Sequence, residues 1–262
     1  IRNSIFRSDR EGIIMKTIHI NKIAAIIEMK TRAFFRKNCI IMPIFAIGFT
    51  IMLRFLYQYI ANDGAYNAVL NGEALAMGLV TNIGGNGIYC CSLLLAEEKE
   101  KKTLRVLMTS SVNALEFFIG SILPVFFFTA VINFILVPIS GMTLTLTQWI
   151  WFTVMTILGT LTSCILGMLL GIFAKDQVST STITTPFILT LMLVPMFSTI
   201  IESFKTFSHF IFTGAIMEMI SNIASHQTPY VELSGMIVMV IEIILAILLF
   251  IFFYKKNGYE KD

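Results

Sequence analysis

Clusters of histidine, cysteine, acid and glycine are where a chain shows its chemistry, and here they are sparse. His19, His209 and His226 are scattered, with neither an HExxH pair nor the spacing of zinc ligands, so no metal site is expected. Cys39, Cys90, Cys91 and Cys164 make no CxxC pair. All four fall at or inside apolar segments, which reads as small hydrophobic side chains. Gly84-Gly85-Asn86-Gly87 is not followed by Lys-Ser/Thr and opens no helix after a strand, so it is not a phosphate loop. It suits close helix packing or a flexible point. No serine or cysteine stands near a general base, and no paired acids mark a proteolytic site. The expected catalytic set is empty, and no cofactor is expected in this chain.

What remains is recognition chemistry, concentrated in Glu97 to Ser111, EEKEKKTLRVLMTSS. Its first six residues alternate in sign, so opposite charges fall at helical i,i+3 and i,i+4 spacings. Leu104, Leu107 and Met108 then repeat at i, i+3, i+4 and give a short helix one apolar stripe. Such a helix cannot enter hydrocarbon and must offer its stripe at a surface.

The elements that position this run are membrane spans. In 262 residues, 56% are apolar and 13% charged, with mean hydropathy +0.81; soluble domains carry about a quarter charged residues. Six apolar segments have the length a helix needs to cross a bilayer: Cys39–Tyr59, Leu75–Leu95, Phe117–Pro138, Trp149–Phe173, Ile183–Ile201 and Gly235–Tyr254. Pro186 and Pro195 predict a kink in the fifth. Of nineteen Lys and Arg, seventeen fall in the N-terminal stretch, the charge run, the Ala174–Thr182 loop and the tail. Only Lys205 falls on the opposite side, with Arg54 inside a span. By the positive-inside rule both termini and the charge run are cytoplasmic. The net charge of +3 is thus spoken for at a membrane surface, and nucleic acid is not an expected partner.

Ahead of the spans, Ile20, Ile23, Ala24, Ile27, Thr31 and Phe34 line one face of a helix, with Lys22, Glu28, Lys30, Arg32 and Arg36 on the other. This predicts an interfacial helix among lipid headgroups. The division is therefore a leader of uncertain origin over 1–14, an interfacial helix over 15–38, a six-span domain over 39–256 and a tail over 257–262. Phe204–Ile223 is apolar but broken by Lys205, His209 and Glu218, which predicts one or two short external helices dipping into the outer leaflet. Gly159, Ser163, Gly167 and Gly171 recur every four residues and suit close helix approach. Asn133 needs a partner inside its span. Arg54 and Glu242 fall at similar depth by helix rise and are a candidate intramembrane ion pair.

The order of these elements, with an acidic-basic run, Thr103-Leu104, Leu107-Met108 and a Thr/Ser end between the second and third spans, resembles the type-2 ABC exporter permeases. The resemblance covers nearly all of residues 16–256. The family usually has a small residue before the Thr-Leu pair, an acid after it and a Ser/Thr-Pro ending; this chain has Lys102, Arg105 and Ser110-Ser111 there. The resemblance implies an all-α integral membrane protein with a cytoplasmic coupling helix and re-entrant external helices. It assigns ATPase coupling to Glu98, Glu100, Thr103, Leu104, Leu107 and Met108. It further implies a second permease chain, identical or related, and separate ATPase subunits that hold ATP and magnesium, in a bacterial inner membrane. The apolar spans favour an amphipathic or hydrophobic substrate such as a peptide toxin or drug. A non-transporting immunity or binding protein and an ATP-independent secondary transporter are the alternatives.

Overall fold

The computed structural model describes residues 20–36, 38–61, 67–102, 114–198 and 201–257, and all their regular elements are helices. In chain order these are α1 (Ile20–Arg36), a 3₁₀ turn (Asn38–Ile40), α2 (Ile41–Ile60), α3 (Asn67–Val80), a π segment (Thr81–Gly87) and α4 (Ile88–Glu100). After them come α5 (Ala114–Ser140), α6 (Leu146–Phe173), α7 (Gln177–Phe197), α8 (Glu202–Ser208), α9 (Phe212–Ala224) and α10 (Leu233–Asn257). Six helices are long and apolar enough to cross a membrane, and the protein is an all-helical, six-span bundle.

The second of these spans is the axis of the bundle. It runs without a break from Ala68 to Glu100, 33 residues, longer at both ends than the sequence expectation of Leu75–Leu95. Hydropathy cut it short because Asn71, Glu73 and the terminal charges are polar. Inside the bundle Asn71 and the terminal charges have partners, Glu73 faces a cavity, and the helix continues. Around it, α6 and α7 pack along α4, α5 and α6 pack along the π segment, and α9 packs along α3.

Close approach is bought with small residues. Gly159 lies against Ile216 of α9, Gly167 against the Gly87 and Ile88 carbonyls and Cys91, and Gly171 against Ser92 and Leu95. Between them the Ser163 hydroxyl donates to the Ile83 carbonyl. A π turn takes its backbone out of the i→i−4 ladder, and Ser163 supplies a donor there. The Gly159–Gly171 stripe is therefore a packing face within the chain. Asn133 meets the same axis. Asn82 Nδ2 donates to Asn133 Oδ1 at 2.8 Å and to the Thr129 carbonyl at 3.0 Å, while Asn133 Nδ2 donates to Thr160 Oγ1 at 3.1 Å. Asn86 Nδ2 reaches Thr129 Oγ1 at 2.8 Å. Five buried polar side chains thus fix α5 and α6 to the π segment.

At the end of the bundle away from Glu97–Lys102, Arg54 and Glu242 do not pair. Arg54 Nη1 donates to the Ile139 carbonyl at 2.7 Å, among the last carbonyls of α5, which have no partner in their own helix. Gly141 ends that helix with φ +80° and has the Arg54 guanidinium where a side chain would stand. Glu242 instead faces the backbone amide of Phe212, the first residue of α9. Similar depth by helix rise did not make the two side chains partners. Between the fifth and sixth spans stand two short helices, as expected, but α9 is no surface element: ten of its thirteen residues are buried. α7 continues through both Pro186 and Pro195 as one helix.

Glycine substitution separates packing from open space. Gly167→Ala drives a methyl into backbone and should lower the thermal midpoint in detergent, by about 1–3 kcal/mol of stability. At Gly84 nothing lies within 4 Å of an added Cβ, so Gly84→Ala should be neutral or gain about 0.5–1 kcal/mol from helix propensity. Equal effects at the two positions would contradict this packing.

Candidate functional site at the charged end of the bundle

The charge run begins inside α4, and its described residues, Glu97 to Lys102, are braced on three sides. On the first side stands α1. Lys30 Nζ lies 2.8 Å from Glu98 Oε1, donates to the Leu94 carbonyl at 3.3 Å and sits 5.4 Å from the centre of the Phe117 ring. Lys30 is 1% exposed and Glu98 6%. Burying two charges costs several kcal/mol per ion, offset only by good geometry and further partners. Here the carbonyl and the ring face supply some of those partners.

The second brace is on α6. Lys99 Nζ donates to the carbonyls of Ile172 and Ala174, each at 2.7 Å, so it caps the C-terminus of α6. A cation there also meets the negative end of the helix dipole. The third brace is on α7. Glu100 Oε2 accepts from Gln177 Nε2 at 3.0 Å and from the Gln177 backbone N–H at 3.3 Å, at the α7 N-terminus, where a carboxylate is favoured. Asp176 caps the same terminus, accepting from Ser179 N–H at 2.7 Å. The Ser179 backbone and hydroxyl bonds hold its carboxyl below the usual range, so the cap stays ionised in ordinary buffers and weakens only in acid, as pH falls through that lowered value. Within α4, Lys101 Nζ pairs with Glu97 Oε1 at 2.7 Å.

One sequence expectation is corrected at this end, and two residues that the resemblance assigns to ATPase coupling are placed. The Glu98 carboxylate is buried against Lys30. Glu100, exposed, holds Gln177. The helix α1 was expected to lay Ile20, Ile23, Ile27 and Phe34 on lipid, with Lys30 on the polar face. Its inner stripe is instead Ile26, Lys30 and Phe34, packed on α5 and α4. Ile26 fits over Gly120 and the Phe34 ring stacks on Phe128 with centroids 5.0 Å apart. Ile23 and Ile27 flank that stripe half-buried, and Ile20 is 79% exposed. The outer face mixes exposed Met29 and Phe35 with the exposed pair Arg32–Glu28. Nothing local marks Lys30 as buried; only its distant partner does.

Thr103, Leu104, Leu107 and Met108 lie outside the described residues. What the described residues establish is the platform from which that segment departs: a helix end tied to α1, α6 and α7 together. Sequence reasoning missed Lys30, Lys99 and Gln177 as parts of this platform. The signal available was the alternating sign of the run, which showed that partners were wanted but not where they lay.

Comparison with known proteins adds one match. A family model described as ABC-2 family transporter protein matches residues 49–252, which include α3, α4 and the charge run. No curated protein matches the chain.

Removing one member of the buried pair should cost more than removing both. Lys30→Met leaves Glu98 without its lysine and should lose about 3–5 kcal/mol, read as a drop in detergent melting temperature or in membrane yield. The double variant Lys30→Met with Glu98→Leu should recover most of that loss. A double variant as poor as the worse single one would mean that the two charges do not interact.

Proposed function

The chain belongs to the ABC-2 transporter family, whose members are multi-pass membrane components of ABC transporters, and from that premise we propose that it is the permease subunit of an ATP-driven exporter. In this reading ATP and magnesium are bound by separate ATPase subunits. Two permease chains, identical or related, form the route. Thr103, Leu104, Leu107 and Met108 dock on the ATPase. The substrate is an amphipathic or hydrophobic molecule such as a peptide toxin or a drug.

The observation that carries the reading is the three-sided brace at Glu98, Lys99 and Glu100. A docking segment that hung from a free loop could be pushed without moving the spans. Here the helix end that leads into the segment is hydrogen-bonded or ion-paired to α1, to the C-terminus of α6 and to the N-terminus of α7. Displacing it therefore loads several helices at once, which is what rigid-body coupling of ATPase closure to the spans requires. The long continuous span from Ala68 to Glu100 extends that load to the opposite end of the bundle. Apolar side chains cover the outward faces of α2, α7 and α10, in keeping with contact to lipid, to a second chain or to an apolar substrate.

Two measurements test this. Burying apolar side chains of this size is worth about 1.5–3 kcal/mol each, so Leu107→Asp should release the co-purifying ATPase and abolish transport while leaving the permease folded in the membrane. Retained complex and retained transport would remove the docking role. Orientation follows from the cation bias: in intact cells a membrane-impermeant thiol reagent should label Ser225→Cys, and should label Lys102→Cys only after permeabilisation. Labelling of Lys102→Cys in intact cells would invert the topology.

A further inference from the structure

At the end of the bundle away from the charge run, α3, α8 and α9 line an open cavity of about 420 Å³. Nearly all of α9 is buried; the residues it leaves open, Glu218, Ser221 and Asn222, line this cavity together with Glu73, Lys205 and His209. His209 follows α8 directly, and its Nδ1 lies 3.3 Å from Glu218 Oε2. The chain leaving α9 folds back over it, where Asn222 Nδ2 donates to the Tyr230 carbonyl at 3.4 Å. That return brings Glu232 alongside, so that donor atoms of His209, Glu218 and Glu232 all lie within 4.8 Å of one another. We propose that His209, Glu218 and Glu232 form a binding site for a divalent transition-metal ion of the zinc type. This goes beyond the transport reading and does not rest on it.

The geometry suits such an ion. Two ligands held at about 2.0–2.2 Å from a tetrahedral zinc stand about 3.3–3.5 Å apart, which is the separation of His209 Nδ1 and Glu218 Oε2. Glu232 is exposed, and rotation of its side chain closes the remaining gap. Its other interactions leave it that freedom: Ser234 Oγ donates to one carboxylate oxygen at 3.1 Å, and the Gly235 N–H bonds only its backbone carbonyl. The donor set is also selective. One imidazole with two carboxylates matches zinc, whereas calcium takes six to eight oxygens and magnesium keeps most of its water.

Charge points the same way. The half-buried Glu218 carboxylate has the Glu232 carboxylate as its neighbour. Two facing carboxylates are better balanced by a dication between them than by Lys205 at the cavity edge. Three protein donors leave a fourth position open to the cavity, for water or for a donor atom of a bound molecule. The ion would also join three successive pieces of chain, α8, α9 and the entry to α10. Spacing rules could not find this site, because its ligands come from three elements rather than one helix or hairpin. The competing arrangement is a plain His209–Glu218 ion pair with no metal.

The experiment uses the full chain, purified in detergent without a histidine tag, stripped with EDTA and titrated with zinc chloride against a chromophoric chelator. One zinc per chain should bind with micromolar or tighter affinity and should survive millimolar magnesium. His209→Ala and Glu218→Gln should each weaken it by at least about tenfold, while His226→Ala should leave it unchanged. Zinc should raise the melting temperature of the unmodified chain and not that of Glu218→Gln. Should the first two variants fail to fold, Glu232→Gln at its exposed position decides: affinity reduced severalfold supports the site. No zinc bound, or zinc bound equally well by His209→Ala or Glu232→Gln, overturns it and leaves the plain ion pair.

Discussion

A charge that enters a bundle surrounded by hydrocarbon finds no bulk water, and every buried backbone group there must also be satisfied from within. Helix ends answer both needs, since each leaves unpaired N–H or C=O groups with a net dipole behind them. Lys99 and Arg54 are placed at the C-termini of α6 and α5, on the carbonyls of Ile172, Ala174 and Ile139. Glu242 faces the first amide of α9, and Glu100 with Asp176 meets the first turn of α7. Cations go to C-termini and carboxylates to N-termini, at both ends of the bundle. The side chains on α2, α4 and α10 thereby each fix one helix against the terminus of another, while Asp176 caps the helix that follows it.

Lys30 and Glu98 are the exception that defines the charged end, because there two side chains meet each other in the interior. A pair of this kind is a weak source of net stability, since desolvation consumes most of the Coulombic gain. Its value lies in register. Sliding α1 by one turn along α5 would leave both charges buried and unpaired, an arrangement penalised far more than a shift of apolar contacts. The stripe Ile26, Lys30 and Phe34 therefore fixes both where α1 lies and which residue of α4 it meets. It does so at the helix end where the charge run begins.

Hydropathy and spacing made the six spans, the cation bias and the small-residue stripe of α6 legible, since each is a property of a continuous stretch. What escaped was everything decided between stretches. Lys30 looked solvated because a lone lysine on an amphipathic helix usually is. Arg54 and Glu242 looked like partners because depth is readable from helix rise and azimuth is not. The first turns of α3 looked like loop because Asn71 and Glu73 are polar, although Gly72 there packs against Ala224 of α9 and Asn71 Nδ2 donates to the Gly141 carbonyl at 3.4 Å. The apolar pattern of Phe204–Ile223 gave helices, but nothing in it distinguished a surface helix from one buried among α3, α6 and α7.

The burial of α9 completes the same logic. Thirteen residues are too few to cross a bilayer, and with ten of them buried the helix finds partners for its ends inside the bundle. At its start Glu242 stands by Phe212, and Thr213 Oγ1 donates to the Leu191 carbonyl of α7 at 2.7 Å. At its end Asn222 takes the Tyr230 carbonyl of the returning chain. Its packing faces meet glycines, with Ile216 against Gly159 and Ala224 against Gly72. Such a helix cannot shift alone. Its neighbours α3 and α6 reach the charged end as the long second span and as the helix that Lys99 caps. The π segment between α3 and α4 is held by Asn82, Asn86 and Ser163 to α5 and α6, so the second span is tied at its middle as well as at its two ends.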